Sequence, residues 1–206
     1  MTHRLSRREA FRVAGFGALT FVHPAFLSGC SSSSKSGTRG EADSGAPLPP
    51  LVYDPNTSWW MQHNYGPVAA ETEALALEVD GAIPTELDGL YLRNGSNPKH
   101  GDPGHWFIGN GMVHGVRLSG GKALWYRNRY VQTPLLDKAP TDAGVGAPPG
   151  DLDTDANVSV IDHAGRLLAL GEVGFPFELS TTDLSTVGPY DFAGQLKTWM
   201  TAHPKP

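Results

Sequence analysis

A single cysteine, Cys30, stands in 206 residues, so no disulfide forms within the chain and its redox compartment cannot be read from pairing. Positive charge is also scarce. The chain has 16 Lys and Arg against 21 Asp and Glu, a net charge of −5, and no basic cluster outside the extreme N-terminus. That excludes the electrostatic footprint of a nucleic-acid binder. Long apolar runs are missing too: the run from Val13 to Leu27 is interrupted by His23 and Pro24 and falls short of the roughly 20 residues a membrane-spanning helix needs. Helical periodicity is confined to "ETEALALEV" from Glu71, which reads as a helix ended between Val79 and Pro84. What the chain does have is 25 glycines, 17 prolines and 39% hydrophobic residues, enough for one sizeable core in a turn-rich, all-β architecture.

The N-terminus reads as an address and a tether. Arg7 and Arg8 follow Ser6, a modestly apolar run follows them, and Leu27-Ser28-Gly29 leads into Cys30. This resembles a twin-arginine export signal joined to a bacterial lipobox. Residues 1–29 are then a signal peptide and Cys30 is the lipidation site. Cleavage before Cys30 removes four arginines and Glu9, taking the net charge from −5 to −8. Residues 30–50, with "SSSSKSGTRGEADSGAPLPP" after the cysteine, are rich in Ser, Gly and Pro and form a flexible linker. The folded part begins near Leu51. The expected location is the outer face of the cell membrane or the periplasm, reached by twin-arginine export and held by lipid.

Downstream, the pattern is of strands and tight turns. In "GMVHGVRLSGGKALWYRNRYVQT", Met112, His114, Val116 and Leu118 alternate with Val113, Gly115, Arg117 and Ser119; Gly120-Gly121 then turns the chain into a strand from Lys122 to Val131. "ANVSVIDHAGRLLALGEV" repeats the plan about a turn at Asp162 to Gly165, and "FELSTTDLSTVG" adds a short strand pair. The segment from Pro134 to Pro149 is a Pro, Gly and Ala-rich loop, and Arg93, Asn94, Gly95, Asn97 and Pro98 read as turn and blade-joining residues. His114 shares a strand face with Met112 and Val116 and reads as a packed structural histidine. Hairpins of this kind build a propeller, a sandwich or a barrel, and pattern alone does not choose.

"LDGLYLRNGSNP", "HWFIGNGMVHGVRLSGGKALWYRNRYVQT", "ANVSVIDHAGRLLALGEVGFPFEL", "LSTVGPYDFAG" and "TAHPK" occur in the order and spacing of the carotenoid cleavage oxygenases, a family that includes lignostilbene dioxygenases. The chain resembles that family over residues 51–206. The resemblance implies the N-terminal blades of a seven-bladed β-propeller, incomplete in this chain, with one Fe(2+) held on the axis by four histidines. His203, in "TAHPK", matches the first iron ligand, and the other three belong to later blades. Glu172 matches an outer-shell glutamate that orients a ligand imidazole, its partner in the family being one of the later histidines, so in this chain it is expected to face nothing. One departure stands out: the family's "FDGDGM" is here Phe107-Ile108-Gly109-Asn110-Gly111-Met112, where Asn110 keeps turn geometry while losing a charge.

The implied chemistry is oxidative cleavage of an alkene bond in a carotenoid, apocarotenoid or stilbene-like substrate by dioxygen at a non-haem iron, which four neutral imidazoles leave with open coordination positions. Two other readings remain: a propeller lipoprotein that binds an apolar ligand or partner without catalysis, and a non-functional gene fragment. At roughly 40–50 residues per blade, residues 51–206 make about three blades. The chain alone is then expected to be neither a closed ring nor an enzyme, unless His100, His105, His114 or His163 supplies further ligands.

Multiple acyl chains at about 0.8 kcal/mol per buried CH₂ hold a lipoprotein stably on a bilayer. Cys30→Ser is therefore expected to release the protein from the membrane fraction or block its maturation. Wild-type recovery in that fraction would refute the anchor.

Overall fold

The computed structural model describes residues 50–138 and 150–205; the expected export signal, Cys30 and most of the Pro134–Pro149 loop lie outside them. Among the described residues, eight strands form two four-stranded antiparallel sheets. The first has the order β1-β4-β3-β2, from Thr72–Leu75 (β1), Gly89–Ser96 (β2), Gly111–Ser119 (β3) and Lys122–Tyr130 (β4). The second is a sequential meander of Ser159–His163 (β5), Arg166–Leu170 (β6), Phe177–Leu179 (β7) and Thr186–Pro189 (β8). Each expected hairpin is present. Gly120 and Gly121, at φ of 54° and 75°, make the β3–β4 turn, a conformation that costs glycine little.

Two sheets, rather than about three, account for the described length. Residues 54–71 run as short 3-10 turns (Trp59–Met61, His63–Tyr65) and extended chain, and residues 97–110, 131–138, 150–158 and 190–205 add no strands. The blade estimate assumed short connections throughout.

The expected helix at Glu71 is instead strand β1. Its residues alternate with period two: Thr72 and Ala74 are half-buried, Glu73 and Leu75 exposed. The edge of β4 captures it. Thr72 pairs with Asn128 in register, and its N–H donates to the Asn128 Oδ1 at 2.6 Å; Glu73 lies against Arg127 and Arg129. Asn128, fully buried, also donates to Ala70 O at 3.1 Å, so β1 is fastened to β4 by side chain as well as ladder. A helix as short as "ETEALALEV" has no comparable source of stability, and the sheet overrides local propensity.

The core lies between the sheets. Val113 from β3, Leu167 and Ala169 from β6, Phe177 and Leu179 from β7, with Val131, Ala156 and Leu184, are buried together, and Leu90, Leu92, Trp125 and Val160 pack around them. Leu184, from the β7–β8 turn, sits over Gly115, where a side chain would collide with Leu184 and Leu92. The connection entering β5 is joined to the first sheet by polar groups. Asn94 Nδ2 donates to the carbonyls of Ala156 (2.7 Å) and Ser159 (2.9 Å), Gly111 N donates to Asp155 O (2.9 Å), and Asn157 Nδ2 donates to Phe107 O and Gly109 O. A Cβ on Gly111 would land on the carbonyls of Asp155 and Ala156, so glycine is what permits this approach. Arg93, Asn94 and Gly95 are thus in strand β2 and not in a turn, while Asn94 does join the sheets.

Burial moves two titratable groups far from their ordinary values. His114 donates to or accepts from Tyr126 Oη across 2.9 Å, and burial, helped by the charge of Arg93, lowers its pKa to about 4. It is a packed structural histidine, as expected. Burial raises Asp155 to about 6, opposed by a hydrogen bond from Asn110.

Removing the Asn94 amide leaves two carbonyls at the junction without their donor, at roughly 1–3 kcal/mol for an unsatisfied buried group. Asn94→Ala is expected to lower unfolding free energy by about that amount in urea titrations followed by tryptophan fluorescence. The pH dependence separates the other two groups. His114, depressed below the ordinary 6.5, contributes stability above that value that is lost as pH falls from 6.5 through about 4. Asp155, raised from 3.8, contributes stability below 3.8 that is lost as pH rises through about 6. Relative to Asp155→Asn, wild type should therefore lose stability between pH 4 and pH 6; a constant difference would contradict the buried carboxyl.

Candidate metal centre

Strand β6 ends at Leu170, and Gly171 carries the chain to Glu172. A Cβ on Gly171 would strike the Thr154 hydroxyl and crowd Ala156, so the chain leaving β6 runs tight against the connection into β5. The tail after β8 crosses the outer face of the second sheet. Tyr190 N donates to Pro176 O and Met200 N to Gly174 O, and Tyr190, Phe192, Met200 and Ala202 cover Leu168 and Leu170. This brings Ala202 and His203 to the end of the sheet where β5 begins and β6 finishes, since Ser159 and Leu170 are register partners.

There Glu172 meets His203. His203 Nε2 lies 2.9 Å from Glu172 Oε1, and Ala202 N donates to Glu172 Oε2 at 3.4 Å. The expectation that Glu172 faces nothing is thus corrected. The tail folds back over β6 and brings its own histidine to the carboxylate. A carboxylate only accepts, so Nε2 carries the proton and a neutral ring keeps its lone pair on Nδ1. Among the described residues the ring's hydrogen-bond partner is Glu172, through Nε2. Both side chains are more than half exposed, at 66% and 54%, so the pair contributes orientation far more than stability.

The arrangement reproduces one half of a carboxylate–histidine–metal triad, in which the ligating ring gives its second N–H to a carboxylate that fixes tautomer and orientation. It fits one corner of an imidazole-ligated centre. It does not complete one: among the described residues no group of three or more His, Cys, Asp or Glu converges as a metal site. His100 Nε2 contacts Leu136 O, His105 Nδ1 accepts from Phe107 N, His114 meets Tyr126, and His163 stacks edge-on to Phe192, each at a separate place.

Asn110, the departure from the family pattern, is a buried junction residue. Its Oδ1 accepts from Lys99 N at 3.1 Å, and its Nδ2 lies 3.4 Å from Asp155 Oδ1. An aspartate there would set a second carboxylate beside half-buried Asp155; the amide donates to it instead. Sequence reading passed over Thr154, Asn157 and Ser159, which fix the connection and tail. The signal available for Thr154 and Asn157 was "TDAN", a run of turn-forming hydroxyl, carboxyl and amide side chains directly before "VSVI". Among the described residues no helix is long and apolar enough to cross a membrane.

Comparison with known proteins places these features. A family profile described as retinal pigment epithelial membrane protein matches residues 65–206. A carotenoid cleavage oxygenase of Mycobacterium tuberculosis is 49% identical over 152 residues, 71% of this chain and 30% of the relative. The lignostilbene dioxygenase of Pseudomonas brassicacearum superposes with a TM-score of 0.63 at 32% identity, over 75% of this chain and 35% of that one. A cobalt-substituted apocarotenoid oxygenase of Synechocystis superposes at 0.53 with 28% identity, over 68% and 33%. This chain spans about a third of the length of these relatives. The profile covers most of the chain, and both sheets lie within the residues it matches: the chain belongs to the carotenoid cleavage oxygenase family, and its two sheets are blades of that family's β-propeller.

Proposed function

We propose that this chain is part of an exported, lipid-anchored, Fe(II)-dependent dioxygenase that cleaves an alkene bond of a carotenoid, apocarotenoid or stilbene-like substrate. The observation that carries the reading is membership of the carotenoid cleavage oxygenase family, with His203 at the histidine the resemblance assigns to iron and its Nε2 2.9 Å from Glu172. In this reading iron, when bound, supplies dioxygen activation beside an apolar double bond. The chain's own residues have simpler tasks. His203 offers one ring nitrogen to the metal, Glu172 accepts the proton-bearing nitrogen and holds the tautomer, and Ala202 N keeps the second carboxylate oxygen engaged.

Export through the twin-arginine route suits such a site. Imidazole ligands bind Cu²⁺ more tightly than Fe²⁺, and Zn²⁺ competes strongly, so ligands that met their metal outside the cytosol would risk the wrong one. A route that carries folded protein lets iron enter first. Cys30 then tethers the enzyme at a membrane, where apolar polyenes partition.

The test is expression from the native gene in a host with twin-arginine export, followed by measurement of iron content and of cleavage of apocarotenoids and stilbenes. His203→Ala is expected to lose iron and turnover together. Glu172→Gln, whose amide oxygen still accepts a hydrogen bond, should lower iron occupancy or turnover by roughly 10–100-fold, the usual range for a lost partner of a ligand histidine. Unchanged iron and turnover in Glu172→Ala would count against the orienting role.

A further inference from the structure

Ala202, the residue before His203, is fixed at three points. Its carbonyl accepts from Ser159 Oγ at 2.6 Å, its N–H donates to Glu172 Oε2 at 3.4 Å, and its side chain is 1% exposed in the cluster with Leu168 and Leu170. His203 itself has little holding it. Its N–H donates to the hydroxyl of Thr201 at 3.2 Å, and its ring, largely in solvent, touches Glu172.

The Ala202 carbonyl belongs to the peptide unit that continues into His203 N. Because that unit is planar, a hydrogen bond to its oxygen sets the plane from which the His203 Cα and ring depart. Ser159 supplies that bond from a rigid base. It opens β5, pairs in register with Leu170, and its own carbonyl is held by Asn94 Nδ2 at 2.9 Å. Two residues on, Ile161 packs against the Leu168, Leu170 and Ala202 cluster, so period-two alternation puts Ser159 on the same tail-covered face. An aliphatic residue would serve packing at that position; the hydroxyl serves Ala202.

We infer that Ser159 is a positioning residue: its hydroxyl, through the Ala202 carbonyl, sets the direction in which the His203 imidazole meets a divalent metal. The inference rests on the reading of His203 as a ligand. A line of contacts runs from the first sheet through Asn94, Ser159 and Ala202 to His203, while Glu172 reaches the same ring from β6. The peptide plane and the ring are thus controlled by separate groups, and losing either leaves the other in place.

The experiment uses the protein expressed from its native gene, stripped of metal and titrated anaerobically with Co(II). Affinity and d–d absorption bands are read alongside the thermal midpoint and circular dichroism. Ser159→Ala is expected to bind Co(II) roughly 10–100-fold more weakly, as for other lost supports of a ligand histidine, with altered band energies at saturation. Ser159→Thr keeps the hydroxyl on a strand-compatible side chain and is expected to stay within about threefold of wild type, well inside that range. If Ser159→Ala does not fold, Ser159→Cys, which keeps the size with a weak donor, is read in its place. His203→Ala separates the two claims. If it leaves Co(II) binding unchanged, the ligand reading fails and the inference with it. If it abolishes binding while Ser159→Ala matches wild type in affinity and bands, the positioning inference fails alone. Equal weakening in Ser159→Ala and Ser159→Thr would also overturn it, because the hydroxyl would not be the cause.

Discussion

The structure depends on the polar junction where the connection into β5 passes beneath the first sheet. A core of leucines, valines and phenylalanine brings two sheets together but does not say where along each other they sit, because apolar contact is non-directional. Hydrogen bonds do. Asn94 holds the carbonyls of Ala156 and Ser159, Gly111 N holds that of Asp155, and Asn157 reaches back to Phe107 and Gly109. These groups cost free energy if buried unpaired, so register is enforced by the penalty for leaving it. The absence of a Cβ at Gly111 lets backbone meet backbone there.

The junction also places the chemistry. The connection it secures delivers Ser159 at the head of β5, Thr154 against Gly171, and thereby Glu172 at the end of β6. The tail, packed by Tyr190, Phe192, Met200 and Ala202 across the same sheet, brings His203 to Glu172. The contact between these two is exposed and weak as a stabiliser, which is consistent with a role of direction. A rigid sheet supplies the carboxylate, and a backbone clamp supplies the ring. This chain spans about a third of its relatives' length.

Much of this was legible in the sequence, for identifiable reasons. The β3–β4 and β5–β6 hairpins announce themselves because alternation and a turn glycine agree at each. His114 read correctly because its neighbours on the strand face are apolar. The strand at Thr72–Leu75 was misread as helix because its identity comes from Asn128 and the β4 edge, more than 50 residues away. Blade count was overestimated because average repeat lengths ignore strandless stretches such as 54–71, 97–110 and 190–205. The partner of Glu172 was missed for a related reason: resemblance assigns roles from whole relatives, whereas the meeting of Glu172 with His203 follows from how this tail packs on β6. Ser159 carried no signal at all, since a serine in a strand declares its partner only in three dimensions.

The central claim is that His203 binds metal while Glu172 holds its ring. Anomalous diffraction at the iron edge from crystals of the iron-loaded protein tests it most directly. The account expects an iron peak at bonding distance, about 2.1 Å, from one ring nitrogen of His203, with the other nitrogen still within hydrogen-bonding reach of Glu172. An iron peak whose ligands exclude His203, or a bound His203 with Glu172 turned away into solvent, would contradict it.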